Sequence, residues 1–209
     1  MKIPKSGASF GSDGVVRCWW SVGDPVYENY HDHEWGRPVA DDTRLFEKLC
    51  LEGFQSGLSW LTILRKRENF RKAFRSFDIE AVARFNTRSV ERLLLDAGIV
   101  RNRAKIEATI NNARQCLMLI DEFGSLASYV WSFEPKKRSA PKDWASLVER
   151  GESQEAKAMS KDLKHREWSF IGPTTVYSFM EAMGLVNDHV RKCHFHQEVE
   201  KARAAFARP

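Results

Sequence analysis

Over residues 106–120 the apolar positions Ile106, Ile110, Ala113, Leu117 and Ile120 fall at alternating steps of four and three, which sets all five on one stripe of an α-helix. Gly124 stands just beyond the stripe, where a glycine can end a helix in the left-handed conformation without steric cost. The spacing therefore predicts one long amphipathic helix that stops there. Upstream, Leu45 with Leu49 and Phe46 with Cys50 repeat the i,i+4 relation, and Asp41 or Asp42 is available as the N-cap. Shorter helices are predicted where Asp78 precedes Ile79, Val82 and Phe85, where Thr87 precedes Val90, Leu93 and Leu94, and where Ser153 precedes Ala156, Met159 and Leu163. A last one runs through Val176, Phe179, Met180 and Met183 to Gly184. No stretch alternates convincingly with period two, so the expected fold class is all-α.

The segment from Glu134 to Asp143 interrupts this pattern with Pro135, Pro141 and the cluster Lys136, Lys137 and Arg138, and reads as an exposed loop. Met1 to Gly14, with Lys2, Pro4, Lys5 and several glycines and serines, lacks the apolar stretch of a secretory signal and reads as a flexible N-terminal tail. One functional domain over residues 15–196 and a C-terminal tail over 197–209 complete the expected organisation. There is no internal repeat and no low-complexity tract.

Hydrophobic residues make up 43% of the 209 and charged residues 29%, which excludes a disordered chain. No run approaches the roughly 20 apolar residues of a membrane span. Four scattered cysteines without a secretory signal point to reduced thiols in a cytoplasmic setting, where paired thiols serve metals more often than bridges. The formal charge of +5 draws the protein toward a polyanion without naming one. Nothing in the sequence signals an oligomer, and a monomer is expected.

His189 and Cys193 lie four apart, so on a helix both would project from one face, and Cys18 with His31 supplies a second Cys/His pair. Together they form a Cys2His2 set that suits tetrahedral zinc and would staple the two ends of the chain. The same residues read equally as small core cysteines and ordinary hydrogen-bonded histidines, and His33, His194 and His196 compete for the metal role. Cys50 and Cys116 sit within apolar helical stripes and are expected in the core.

A second constellation is aromatic and acidic. Tyr27, Tyr30 and Trp35 come early, then Glu52 and Trp60 flank Phe54-Gln55-Ser56-Gly57-Leu58-Ser59. An enzyme acting on an extruded base needs aromatic faces for stacking and a few polar groups for the base edge; a core role for the same aromatics is the plainer alternative. Gly57-Leu58 is either a tight turn presenting an apolar wedge or simply a turn. Phe170 to Thr175 leads through Gly172 and Pro173 into a helix whose first amides are suited to a phosphate. Arg65, Lys66, Arg67, Arg71, Lys72 and Arg75, and then Arg101, Arg103 and Lys105, are basic runs that either follow a phosphate backbone or form solvated helix faces.

Tyr30-His31-Asp32-His33-Glu34-Trp35-Gly36, Leu51-Glu52-Gly53-Phe54-Gln55-Ser56-Gly57-Leu58-Ser59-Trp60, Lys66-Arg67-Glu68-Asn69-Phe70 and Gly184-Leu185-Val186-Asn187-Asp188-His189, taken in order, resemble the 3-methyladenine DNA glycosylase I family. The likeness runs from about Cys18 to Cys193. It implies a helix-hairpin-helix glycosylase fold, with the hairpin at Phe170 to Thr175 and DNA contacts at Gly172, Thr174 and Thr175. It implies one structural zinc on Cys18, His31, His189 and Cys193, a base pocket of Glu52, Tyr27, Tyr30 and Trp60 with Glu52 as the catalytic group, and a duplex-probing loop at Gln55, Gly57 and Leu58. The implied reaction is monofunctional hydrolysis of the N-glycosidic bond of 3-methyladenine in alkylated double-stranded DNA, with the free base as product.

Two rival readings remain. A zinc-stabilised nucleic-acid-binding module without activity would keep the metal, the basic runs and the hairpin. A metallohydrolase is disfavoured, because four protein ligands leave zinc no open position for water. Many helix-hairpin-helix glycosylases carry a catalytic Asp after the hairpin helix, where this chain has Asn187; the adjacent Asp188 would point about 100° away if the segment were helical.

Overall fold

The computed structural model describes residues 3–136, 140–150 and 153–209. Its first element is a short antiparallel hairpin, β1 (Ala8–Phe10) paired with β2 (Val16–Cys18) in the register Ala8 to Cys18. The expectation of a flexible tail over residues 1–14 therefore fails from Ala8 onward. Gly14, at φ +79°, returns the chain, and the Trp19 amide donates to the Gly7 carbonyl at 2.9 Å. Three-residue strands are too short to show alternation in sequence.

Helices follow in close succession, and most begin at a side chain that accepts otherwise unpaired amide hydrogens. In α1 (Pro25–His33) the cap is Asp24, with Pro25 in the first turn, in α2 (Asp42–Gln55) it is Asp41, and in α3 (Trp60–Ala73) it is Ser59. Asp78 opens α4 (Ile79–Ala83). For α5 (Thr87–Leu95) the cap is Asn86, in a capping box with Ser89, so Thr87 lies inside the helix that it was expected to open. The long helix is α6 (Arg103–Phe123), ended by Gly124 at φ +81°. Next come α7 (Leu126–Trp131), whose first amides are also bound by the Asp42 carboxylate, and α8 (Trp144–Val148). Ser153 caps α9 (Gln154–His165), and α10 (Pro173–Ala182) and α11 (His196–Ala205) complete the chain.

The centre of the molecule is α2, which packs against α3, α6, α7 and α10. It is buried on nearly every side from Leu45 to Phe54, and a ladder of aromatic rings from Phe54 through Phe70, Phe74 and Phe77 fills the space beside it. This burial makes α2 a rigid base for whatever its polar residues do.

Two further expectations change. The C-terminal tail is α11 for most of its length. Val199 is fully buried, and Arg203 donates to the carbonyls of Gly184 at 2.8 Å and Leu185 at 2.9 Å. The stretch from Asn187 to Cys193 is not helical; it closes in a turn in which the Cys193 amide donates to the Val190 carbonyl at 2.7 Å. Lys136 and Pro141 belong to the expected irregular segment, while Lys137 and Arg138 lie outside the described residues. Among the described residues no helix is long and apolar enough to cross a membrane.

Candidate active site and metal centre

Residues from α1, α2, α3, α8 and α10 line a cavity of about 280 Å³. Glu52 and Gln55 reach it from α2, Tyr27 and Tyr30 from α1, and Trp60 from the first turn of α3. The structure thus brings together the four residues expected to form the pocket. Glu52 is 5% exposed, and the rings of Tyr30 and Trp60 stand 5.5 Å apart in a tilted pair. Burial and the nearby Glu52 carboxylate push the Tyr27 hydroxyl up to about 12 and that of Tyr30 well above its ordinary range, so both remain neutral hydrogen-bonding groups at physiological pH. The Trp60 indole N–H is buried with no hydrogen-bond partner among the described residues, an open donor at the pocket wall.

Lys48, one helical turn before Glu52, also lines the cavity, and sequence reasoning passed over it. Its ammonium lies 2.7 Å from Glu52 Oε1, donates to the Tyr30 hydroxyl at 2.9 Å, and stands 3.2 Å from the centre of the Trp60 ring. Tyr177 from α10 and Trp144 from α8 complete the walls. Trp144 is braced by the N-terminal segment: its amide donates to the Lys5 carbonyl at 3.2 Å and its ring meets Trp19 edge-on at 5.1 Å.

At the end of α2 the chain turns sharply through Gly57, at φ +79°, and leaves Leu58 42% exposed. The turn is held from behind by Lys105 of α6, whose ammonium donates to the carbonyls of Phe54 at 2.9 Å and Ser56 at 2.6 Å. A large apolar side chain is thus presented on a fixed backbone beside the cavity. Gly172 opens α10 without any side-chain cap, so the amides around Thr174 and Thr175 have no acceptor from that residue, and Thr174 itself lines the cavity.

Several members of the basic runs are paired within the protein, while Lys72, Arg75 and Arg101 are exposed. Arg67 pairs with Glu34, Arg71 with Glu47 and Glu68, Arg65 with Asp24, and Arg103 with Glu91 and Glu107. Lys66 binds the carbonyls of Ala97 and Gly98.

Cys18, His31, His189 and Cys193 meet with their ligand atoms all within 4.8 Å of one another, every one buried. The sequence spacing of His189 and Cys193 suggested a helix face; the turn described above brings them together instead. Cys18 Sγ to His189 Nδ1 is 3.9 Å, His189 Nδ1 to Cys193 Sγ 3.4 Å, and Cys193 Sγ to His31 Nε2 3.6 Å. A tetrahedral zinc, with bonds of about 2.3 Å to sulfur and 2.0–2.1 Å to nitrogen, requires sulfur–nitrogen separations of about 3.5 Å, so the donor set fits such an ion. The outward nitrogens are oriented as metal-bound histidines require: His31 Nδ1 meets Asp32 at 2.8 Å, and His189 Nε2 meets the Trp35 carbonyl at 3.1 Å. Asp32 is held in turn by Arg17. Hydrogen bonds from Cys18, His189 and His31 hold the Cys193 thiol far below the ordinary range, as a thiolate, while burial pushes Cys18 up. The group could therefore hold a metal. His33 and His194 are exposed, and His196 faces the His189 carbonyl rather than the cluster.

Asn187 braces this centre. Its side-chain oxygen accepts the His189 amide at 3.2 Å, and its amide nitrogen donates to the His196 carbonyl and to Glu200. Asp188 turns the other way, toward the cavity wall.

The family model described as methyladenine glycosylase matches residues 19–197. The chain belongs to the methyladenine glycosylase family. Among curated members of that family, DNA-3-methyladenine glycosylase 1 of Escherichia coli (strain K12) is 49% identical over 183 residues, covering 86% of this chain and 96% of the relative. DNA-3-methyladenine glycosylase of Haemophilus influenzae is 42% identical over 182 residues, covering 86% and 97%. Of solved methyladenine glycosylases, a variant of 3-methyladenine DNA glycosylase I in complex with 3-methyladenine superposes with a TM-score of 0.80 at 38% identity, covering 85% of this chain and 96% of that one. The enzyme from Staphylococcus aureus, solved to explain its recognition of 3-methyladenine, gives 0.79 at 39% identity, covering 85% and 95%. The β1–β2 hairpin, and Lys5 whose carbonyl accepts the Trp144 amide, precede the span matched by the methyladenine glycosylase family model.

Proposed function

We propose that this chain is a base-excision repair enzyme that hydrolyses the N-glycosidic bond of 3-methyladenine in alkylated double-stranded DNA, releasing the free base and leaving an abasic site. The observation that carries this reading is the aromatic cavity built around the buried Glu52 carboxylate, with Leu58 exposed on a braced turn beside it. Relatives named for this activity, and one solved with 3-methyladenine, support it.

Methylation at N3 gives the adenine ring a positive charge, which makes the base a good leaving group before the protein acts. Trp60 and Tyr30 stack on the electron-poor ring. Glu52 accepts the exocyclic amino hydrogen, and the two tyrosine hydroxyls remain protonated to take part in hydrogen bonding. The C1′–N9 bond breaks with its electron pair going to nitrogen, and water adds to C1′ and gives up a proton. Extruding the nucleotide costs a few kcal/mol in lost stacking and pairing. Leu58 filling the gap, with Gln55 and Gly57 shaping its turn, and the α9–α10 hairpin binding phosphate at Gly172, Thr174 and Thr175, offset that cost.

The Cys/His group holds one zinc per chain. Bound by four protein side chains, the ion has a structural role, joining the segment around Cys18 and His31 to that around His189 and Cys193. The protein acts as a monomer. Release of free 3-methyladenine from an alkylated duplex tests the proposal, and binding of that duplex without release would favour the inactive nucleic-acid-binding module.

A further inference from the structure

Lys48 is 5% exposed, and its ammonium has three close partners in the cavity: the Glu52 carboxylate, the Tyr30 hydroxyl and the Trp60 ring. These are the groups suited to a cationic base, a carboxylate and two aromatic faces. The protein therefore brings its own cation to a cation-binding constellation. Further charged groups stand near this constellation. Glu34 and Arg67 pair with each other at 2.6 and 2.8 Å, and Glu181 lines the cavity from α10. Burial works against the Lys48 charge, and the Glu52 carboxylate sustains it.

Resting on the base-pocket reading above, we propose that Lys48 is a specificity-determining residue: its ammonium offsets the Glu52 carboxylate, so that the pocket selects 3-methyladenine by shape, stacking and hydrogen bonds rather than by net charge. A lone carboxylate against aromatic faces would attract organic cations of many shapes. Paired with Lys48, it still accepts an amino hydrogen through its second oxygen while offering no net attraction to charge. The pair also bears on the reaction. The base carries its positive charge until the C1′–N9 bond breaks and its electron pair passes to N9; an ammonium close to the ring favours that loss of charge.

The test compares two probes, 3-methyladenine as the neutral free base and 3,9-dimethyladeninium as a permanent cation with a methyl group where the sugar would be. The readout is the ratio of their dissociation constants, measured by titration calorimetry or tryptophan fluorescence on zinc-loaded protein. Wild type should bind the two within a few-fold of each other. Lys48→Met, which leaves the carboxylate alone, should shift the ratio toward the cation by about tenfold, and Glu52→Gln, which leaves the ammonium alone, should shift it the other way. The double variant Lys48→Met/Glu52→Gln removes both charges and should return the ratio to that of wild type, and it serves where Lys48→Met does not fold. A wild-type preference for the cation of tenfold or more would overturn the proposal, as would a ratio unmoved in both single variants or a double variant that stays shifted. Failure of wild type to bind either probe would instead sink the base-pocket reading, and this inference with it.

Discussion

The Tyr177 hydroxyl donates to the Asp188 carboxylate, and Arg150 meets the other oxygen of that carboxylate at 3.2 Å. Tyr177 lines the cavity, whereas Asp188 is 1% exposed and does not. Its carboxylate thus braces a wall of the cavity, which fits the proposal that Glu52 reads the base edge. Asp188→Asn, provided that it keeps its metal, should lose less than about tenfold in excision, against a hundredfold or more for Glu52→Gln, the scale on which one well-placed polar group acts. Single-turnover excision on one alkylated duplex decides it: collapse with Asp188→Asn beside near-normal Glu52→Gln would transfer the role to Asp188.

Elemental analysis of the purified protein should give one zinc per chain. Cys193→Ser removes a ligand from a fully buried set and should lower stability by at least about 4 kcal/mol, in the range of lost metal sites. Full occupancy and an unchanged melting temperature in that variant would exclude the assignment.

Trp60→Ala should weaken binding of free 3-methyladenine by about 5- to 150-fold, the loss of one stacking partner worth roughly 1–3 kcal/mol. Undamaged duplex, which engages phosphate contacts elsewhere, should bind almost as before. Equal losses on both ligands would mark Trp60 as a core residue.

Lys105 ties the turn before Leu58 to α6 through two carbonyls. Such charge-assisted bonds contribute about 1.5–3 kcal/mol each. Lys105→Met should therefore loosen the turn and slow excision from duplex by about tenfold or more, while free 3-methyladenine binds within about twofold of wild type. A parallel loss in free-base binding would mean that Lys105 supports the pocket itself rather than the wedge.

Much of this architecture is written locally. The stripe from Ile106 to Ile120 fixes α6, and Asp41, Asp78 and Ser153 stand where helices begin, because a cap is a short-range event between a side chain and an amide two or three residues on. The Cys/His group and the residues lining the cavity were legible as types and, through the family motifs, as positions. What escaped depended on burial and long-range contact. Lys48 and Glu52 have the spacing of an ordinary surface ion pair on a helix; only the packing of α1 and α3 over them turns the pair into part of the pocket. The basic run around Arg67 and Arg71 looked available for phosphate until the partners Glu34 and Glu47 were brought in from distant elements. His189 and Cys193 had the right separation for a shared ion and the wrong backbone, since a turn and a helix can bring two such side chains equally close.

Cys18 and His189 touch across 171 positions of sequence. A ribosome adding about 5–20 residues per second takes on the order of ten seconds or more to cover that distance. During that interval the nascent chain displays one cysteine and one histidine of the set and lacks the other two, so only half of the proposed ligand set exists. The four-ligand cluster is consequently a late event of maturation: it forms only after α2, α6 and α10 have been made, and it registers that the first and last parts of the fold have found each other.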